Sequence, residues 1–364
     1  MIRRLIRSAI MLAFVPACSP ESTTAAGPGA EAGPDADSGL PDAETLTPID
    51  DPPPPARGYF MGTLPTPAEG QDLAASHAQL AAYGDWVPEW GRPSAFWELA
   101  GDLAGSWGET NMGTLIRGNG MFPLVHVAPV QTWGQPACPP GLEGCTLSTP
   151  AWREAYKTAV LDVVHAARPR YLSLGNEINR WYEAVGDHDG DPNAFRYFVS
   201  LYDETYDAVK AIAPQTLVFV VFSREIVSEL READMTVLSR FDPARLDLVA
   251  FTLYSYSVRT GPRTFRHASD IPDDYLAAAV APLGKKRVAI TELGWPTDAF
   301  YGGEQGQVDF LDAVVGRLTT AQGLKLELLG WDWLHDQPGG DTTGLIGRDG
   351  HEKLVWERWK ALYE

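Results

Sequence analysis

Eight short, continuously apolar runs alternate with helix-like segments from residue 58 to the end of a 364-residue chain. They lie at 58–63, 83–87, 122–127, 171–174, 217–222, 247–253, 287–291 and 326–333. Runs that are apolar throughout, rather than at every second position, belong to parallel strands covered on both faces. Parallel strands need long crossovers, and the intervening segments supply them. Helices are expected near 69–83, 94–103, 149–167, 191–213, 224–240, 272–283 and 304–321, with a last one from about 352. Thr149-Pro150 is a clear start, a capping residue followed by proline at the first helical position. Two architectures fit the alternation. An open doubly wound sheet would carry a glycine-rich turn after its first strand. Gly58 and Gly62 have the wrong spacing for that and lie within the run itself. Eight units in one domain favour a closed (β/α)8 barrel.

In such a barrel the functional groups sit at the C-terminal ends of the strands. The fourth run ends YLSLGNEIN and the seventh reads RVAITELGWPT, so each delivers a glutamate, Glu177 and Glu292. A lone glutamate after a strand is more often a solvated loop residue or a helix cap. Two at facing strand ends form a candidate pair for cleaving a glycosidic bond. A carboxyl separation of about 5 Å would make the reaction retaining, and about 9 Å inverting. Trp86, Trp90, Trp133, Trp181, Trp295, Trp331 and Trp333 follow expected strands, where indoles stack on sugars; Trp152, Trp356 and Trp359 fall in helices and read as core. His126 reads as a core histidine. His335-Asp336 follows the eighth run and is a candidate for binding substrate. No serine nucleophile elbow, phosphate loop or zinc motif is present, and the chemistry needs no cofactor. The acidic loop 187–191 is loosely like a calcium loop. It lacks the terminal bidentate Glu and reads as solvated, so no metal is expected.

These residues carry a family resemblance. Asn176-Glu177 on strand four and Glu292 on strand seven are similar to the signature of clan A glycoside hydrolases, retaining (β/α)8-barrel enzymes. The resemblance implies that Glu177 is the acid/base, Glu292 the nucleophile and Asn176 the contact to the sugar 2-hydroxyl. It also implies that Tyr254, in FTLYSY, hydrogen-bonds the nucleophile, and that Trp331 or Trp333, in GWDW, forms the sugar platform. GNEIN, TELGWP and the segment Thr132-Trp133-Gly134-Gln135-Pro136 most resemble the endo-β-1,4-galactanases. Trp133 and Trp295 thereby join the substrate-binding set. The galactanase arginine after strand two and histidine after strand three have no counterpart; Asp85-Trp86 and Ala128 occupy those positions. Endo-β-1,3-glucanases share the TExGWP ending. The implied substrate is a polysaccharide or oligosaccharide, galactan or another β-glycan. A glycan-binding protein on an inactive barrel is the alternative.

Residues 1–18 read as an export signal, with Arg3, Arg4 and Arg7 ahead of a short apolar stretch. The stretch ends Val15-Pro16-Ala17-Cys18, a bacterial lipobox-like sequence in which Cys18 is the lipidated residue. Residues 19–57 are rich in Pro, Ala, Gly and acidic groups and read as a disordered linker ahead of a catalytic domain at 58–364. The expected location is the outer membrane or cell surface as a lipoprotein, otherwise periplasmic or secreted. Membrane contact is then through the lipid alone. A net charge of −19 speaks against nucleic acid. Cys138 and Cys145, in one Pro/Gly-rich loop of an exported chain, are expected to form a disulfide. A monomer is expected.

Overall fold

The computed structural model describes residues 45–90, 95–284 and 287–364, without the side chains of residues 131 and 132. The signal-like segment, Cys18 and residues 19–44 lie outside the described residues. The barrel strands are β1 Phe60–Leu64, β2 Trp86–Glu89, β3 Phe122–His126, β4 Tyr171–Ser173, β5, β6 Val249–Leu253, β7 Arg287–Leu293 and β8 Lys325–Trp333. Val220 splits β5 into Leu217–Phe219 and Val221–Ser223. The first piece pairs with β4 and the second with β6, which closes an all-parallel ring through β8 and β1. The α-helices that flank it are α1 Leu73–Ala81, α2 Phe96–Ala104, α3 Pro150–Ala167, α4 Asn179–Val185, α5 Phe195–Ile212, α6 Tyr275–Val280, α7 Gly303–Asp312 and α8 Leu354–Tyr363. This is the (β/α)8 barrel that the alternation implies. No helix among the described residues is long and apolar enough to cross a membrane.

Side chains alternate between lumen and outer layer along each strand. Phe60, Trp86, Phe122, Leu124, Tyr171, Phe219, Val221, Leu248, Ala250, Ala289 and Leu328 fill the lumen as one cluster. Trp86 occupies its centre, which explains two glycines. A Cβ on Gly62 would stand 2.4 Å from the Trp86 ring, and one on Gly330 would stand 2.8 Å from it. Trp86 is therefore core, not a sugar contact, and Asp85 turns away to pair with Arg57. Trp181 is likewise fully buried, its indole donating to Asn193 O at 2.8 Å.

Three expectations are corrected. Residues 224–240 do not form a helix. They make a short antiparallel pair, Glu225–Ile226 with Arg231–Glu232, and a 3-10 turn at Met235–Arg240. The cause is Glu225, a buried carboxyl that accepts from Ser255 Oγ, Tyr254 N and Tyr275 OH at 2.7, 2.8 and 2.8 Å and needs extended backbone to do so. Strand seven runs on to Leu293, so Glu292 lies inside a strand rather than after one. Finally, residues 45–57 are not free of the domain. Leu46 N donates to Ile212 O and Ile49 N to Arg168 O, and Asp50 and Asp51 pair with Arg117 and Arg170. This strap crosses the N-terminal face of the barrel through backbone and ionic contacts, with Leu46 packed on the core.

Candidate active site

Four strand ends bring the site together. Asn176 and Glu177 follow β4, Tyr254 follows β6, Glu292 sits in β7 and Asp332 in β8. Glu177 has φ +50°, a left-handed backbone that costs a non-glycine residue about 1–3 kcal/mol. The turn is held by Ile178 N donating to Val221 O and Val221 N to Gly175 O. It aims the Glu177 side chain back over the mouth. Thr252 Oγ1 donates to Glu177 Oε1 at 2.9 Å, and Arg180, one turn on in α4, donates to Oε2 at 2.7 Å. The Arg180 guanidinium also lies 4.8 Å from the Trp133 ring centre, so Trp133 joins the site through it.

Glu292 receives Asn176 Nδ2 on Oε1 at 2.9 Å and Tyr254 OH on Oε2 at 2.7 Å. Asn176 Oδ1 is left buried and without a partner among the described residues. Burial and then the charge of Glu177 push the Glu292 carboxyl up to about 7, against the pull of the Tyr254 and Asn176 bonds. Glu225 positions Tyr254 by accepting from its backbone N–H. His126 faces the lumen in register with Phe122 and Leu124. It stacks flat on Trp90 at 4.6 Å, and neither ring nitrogen has a partner among the described residues. Burial holds it neutral, down to about 3.

The raised Glu292 has a consequence for stability. Below pH 4.5 it is protonated whether folded or unfolded. As pH rises towards 7 the unfolded chain ionises while the folded one keeps its proton, so stability falls and stays lower above 7. For a partly exposed carboxyl this costs about 2 kcal/mol. Glu292→Gln should therefore unfold at a higher temperature than wild type at pH 8 and at about the same temperature at pH 4.5. Identical unfolding temperatures at pH 8 would count against the raised carboxyl.

Strand eight departs from expectation. Leu328, Gly330 and Asp332 take the inward positions, which turns Trp331 outward. Trp331 is buried, with its indole N–H on Thr343 O at 2.7 Å, and is not a sugar platform. Trp295 is also removed from the site: it is fully buried, stacked on Phe310 at 4.7 Å and bonded to Tyr301 O. Trp333 keeps a partly exposed position at the end of β8. Asp332 stands beside Tyr254; a Cβ on Gly294 would meet the Tyr254 ring at 2.6 Å and Asp332 Oδ2 at 2.8 Å. Burial, then Asp341, push the Asp332 carboxyl well above its usual range.

Arg180, Thr252 and Asp332 were not singled out from the sequence. Arg180 carried a usable signal, three residues past Glu177. So did Asp332, two residues past Gly330 on a strand. His335 is buried against Thr66 O at 2.6 Å, and Asp336 pairs with Lys353, so that dyad is structural. Asp187 and Asp189 pair with Arg196, and Asp187 also with Arg240. Cys138 and Cys145 are disulfide-bonded, their Cα atoms 5.7 Å apart.

No family model matches the chain, and no curated protein matches it in sequence. Solved structures do match in fold. GH5_18 from Streptomyces cattleya, in complex with GlcNAc, superposes with a TM-score of 0.54 at 16% identity, over 85% of this chain and 80% of that one. A family 39 glycoside hydrolase from the gut symbiont Bacteroides cellulosilyticus WH2 gives 0.54 at 15%, over 84% and 63%. An exo-β-1,4-mannosidase from Opitutaceae bacterium strain TAV5 gives 0.53 at 16%, over 85% and 61%. The chain spans less than two thirds of the last two. At these identities the likeness is one of fold.

Proposed function

We propose that this protein is a retaining glycoside hydrolase that cleaves β-glycosidic bonds of a polysaccharide or oligosaccharide by double displacement. One observation carries the reading. Glutamates from the ends of β4 and β7 meet at the mouth, and two side chains, Asn176 after β4 and Tyr254 after β6, both donate to Glu292. Donors on both oxygens hold one lone pair towards the space where an anomeric carbon would lie. Glu292 attacks that carbon, and Glu177 gives its proton to the departing oxygen. Water then attacks the glycosyl-enzyme, with Glu177 taking the water's proton. Asn176 Oδ1, unpartnered, is placed to accept from a sugar hydroxyl.

Two features work against this division of roles. Glu292 holds its proton to about pH 7, while Arg180 neutralises Glu177. The same ion pair favours the second reading, a glycan-binding protein without turnover. Incubating wild type, Glu177→Gln and Glu292→Gln with galactan, β-1,3- and β-1,4-glucans, mannan and xylan separates the two. Sugar release by wild type alone supports the enzyme; binding with no release by any of them sinks it. Galactan comes first because of GNEIN and TELGWP, and internal cleavage is the mode proposed. Asp85 and Trp86, turned into the strap and the lumen, offer nothing in place of the galactanase arginine.

Tyr254→Phe removes a hydrogen bond to a charged nucleophile. Such bonds contribute about 1.5–3 kcal/mol, so kcat/KM should fall by about one to two orders of magnitude. The Tyr254 bond pulls Glu292 down, so its loss moves the acid limb of the pH–rate profile above 7. An unmoved limb would show that Tyr254 acts elsewhere. We further propose export and lipidation at Cys18. Palmitate labelling of the expressed chain should disappear in Cys18→Ser, with release into the soluble fraction; labelling that persists refutes it.

A further inference from the structure

One patch on the mouth side runs against the chain's net charge of −19. The loop after β6 carries Arg259, Arg263 and Arg266, all exposed. Phe300, on the Ala299–Tyr301 turn that follows β7, is 51% exposed. The guanidiniums of Arg266 and Arg259 lie 4.8 and 6.0 Å from the Phe300 ring centre, and Arg259 lies 5.2 Å from that of Tyr301. Arg263 is tied to Glu232 at 3.3 Å. Arg259 and Arg266 make no ion pair among the described residues. A guanidinium resting on an aromatic ring keeps its N–H fork free at the edge, the geometry that grips a carboxylate or a sulfate.

The patch is continuous with the catalytic mouth. Tyr254, bonded to Glu292, packs on Tyr256 with ring centres 6.4 Å apart; Tyr256 packs on Tyr301 at 5.6 Å and Tyr301 on Phe300 at 5.0 Å. This aromatic ladder leads outward from the nucleophile to the two unpaired arginines. Tyr301 is buried, so the ladder fixes the rim relative to the mouth, and Phe300 with the two charges is what the surface offers. A polyanion would be repelled by most of this surface. Screening over about 8 Å at physiological salt lets a local cationic rim decide where it lies.

We propose that the Arg259–Arg266–Phe300 rim binds the acidic groups of the glycan, so that the substrate is a β-glycan bearing carboxylates or sulfates. This rests on the glycosidase reading. The test uses the full chain with Glu177→Gln, so that binding is read without turnover. Its probes are polymannuronate, a sulfated galactan and carboxyl-reduced polymannuronate. Titration calorimetry should show at least one anionic polymer binding, about tenfold more weakly after Arg259→Gln/Arg266→Gln and more weakly as salt rises. The reduced, neutral polymer should not respond to the double substitution. The binding arm separates carboxylate from sulfate as the group read. Affinity for both anionic polymers equal to the neutral control, or unchanged by the substitutions, overturns the proposal. Sugar release by the wild type from neutral polymers alone also overturns it, while leaving the glycosidase reading intact.

Discussion

Alanine in place of Glu292 should lower hydrolysis on the order of 10⁵-fold, and azide should restore it as the α-glycosyl azide. With the nucleophile gone no glycosyl-enzyme can form. The cavity left between Asn176 and Tyr254 is lined by the donors that served the carboxylate, so a small anion can enter it. Azide then attacks from the face Glu292 used, in one displacement, and the anomeric configuration inverts. The product's stereochemistry is the readout, because loss of activity alone cannot tell a missing nucleophile from a disturbed mouth. Rescue with retention would assign the attacking role to Glu177 instead. That outcome follows if the raised Glu292 carboxyl, rather than Glu177, supplies the proton.

Glu177→Ala is expected to cost about 10²–10⁴-fold on glycosides with poor leaving groups, the usual worth of a general acid–base group. On dinitrophenyl glycosides, which leave without a proton, the first step should stay close to wild type. Glycosyl-enzyme then accumulates, and azide releases it as the β-glycosyl azide. The pH profile carries an independent sign. The charge of Glu177 is the second cause holding Glu292 up, so its removal should carry the acid limb below 7. A limb that stays near 7 would mean that burial alone sets the Glu292 carboxyl. Equal losses on good and poor leaving groups would mean that Glu177 positions substrate rather than protonates it.

The carboxyl pair was legible because each glutamate closes an apolar run, and the barrel brings those run ends to one mouth. Tyr254 was reached only through the family resemblance of FTLYSY, and it does donate to Glu292. Strand eight was misjudged where tryptophans were counted and alternation was not. Two steps from Gly330 reach Asp332, and the odd positions face outward. The stretch 224–240 has helix-forming residues, but Glu225 is fixed by partners on β6 and α6, which no local pattern announces. Residues 45–57 carry only two large apolar groups, Leu46 and Ile49, and so resembled a linker. They dock instead through paired aspartates and backbone bonds, whose partners, Arg117, Arg168 and Arg170, are distant in sequence.

That strap also fixes a direction. Leu46 is held at the end of α5 and Asp51 beside the start of β4, at the pole opposite the two glutamates. Residue 45 itself therefore lies beneath the barrel. A support gripping the chain by its N-terminus, whether a bead or a membrane surface, would present the mouth outward, towards polymer arriving from solution. Attachment through the C-terminal side of β6 or β7 would bury that mouth against the support.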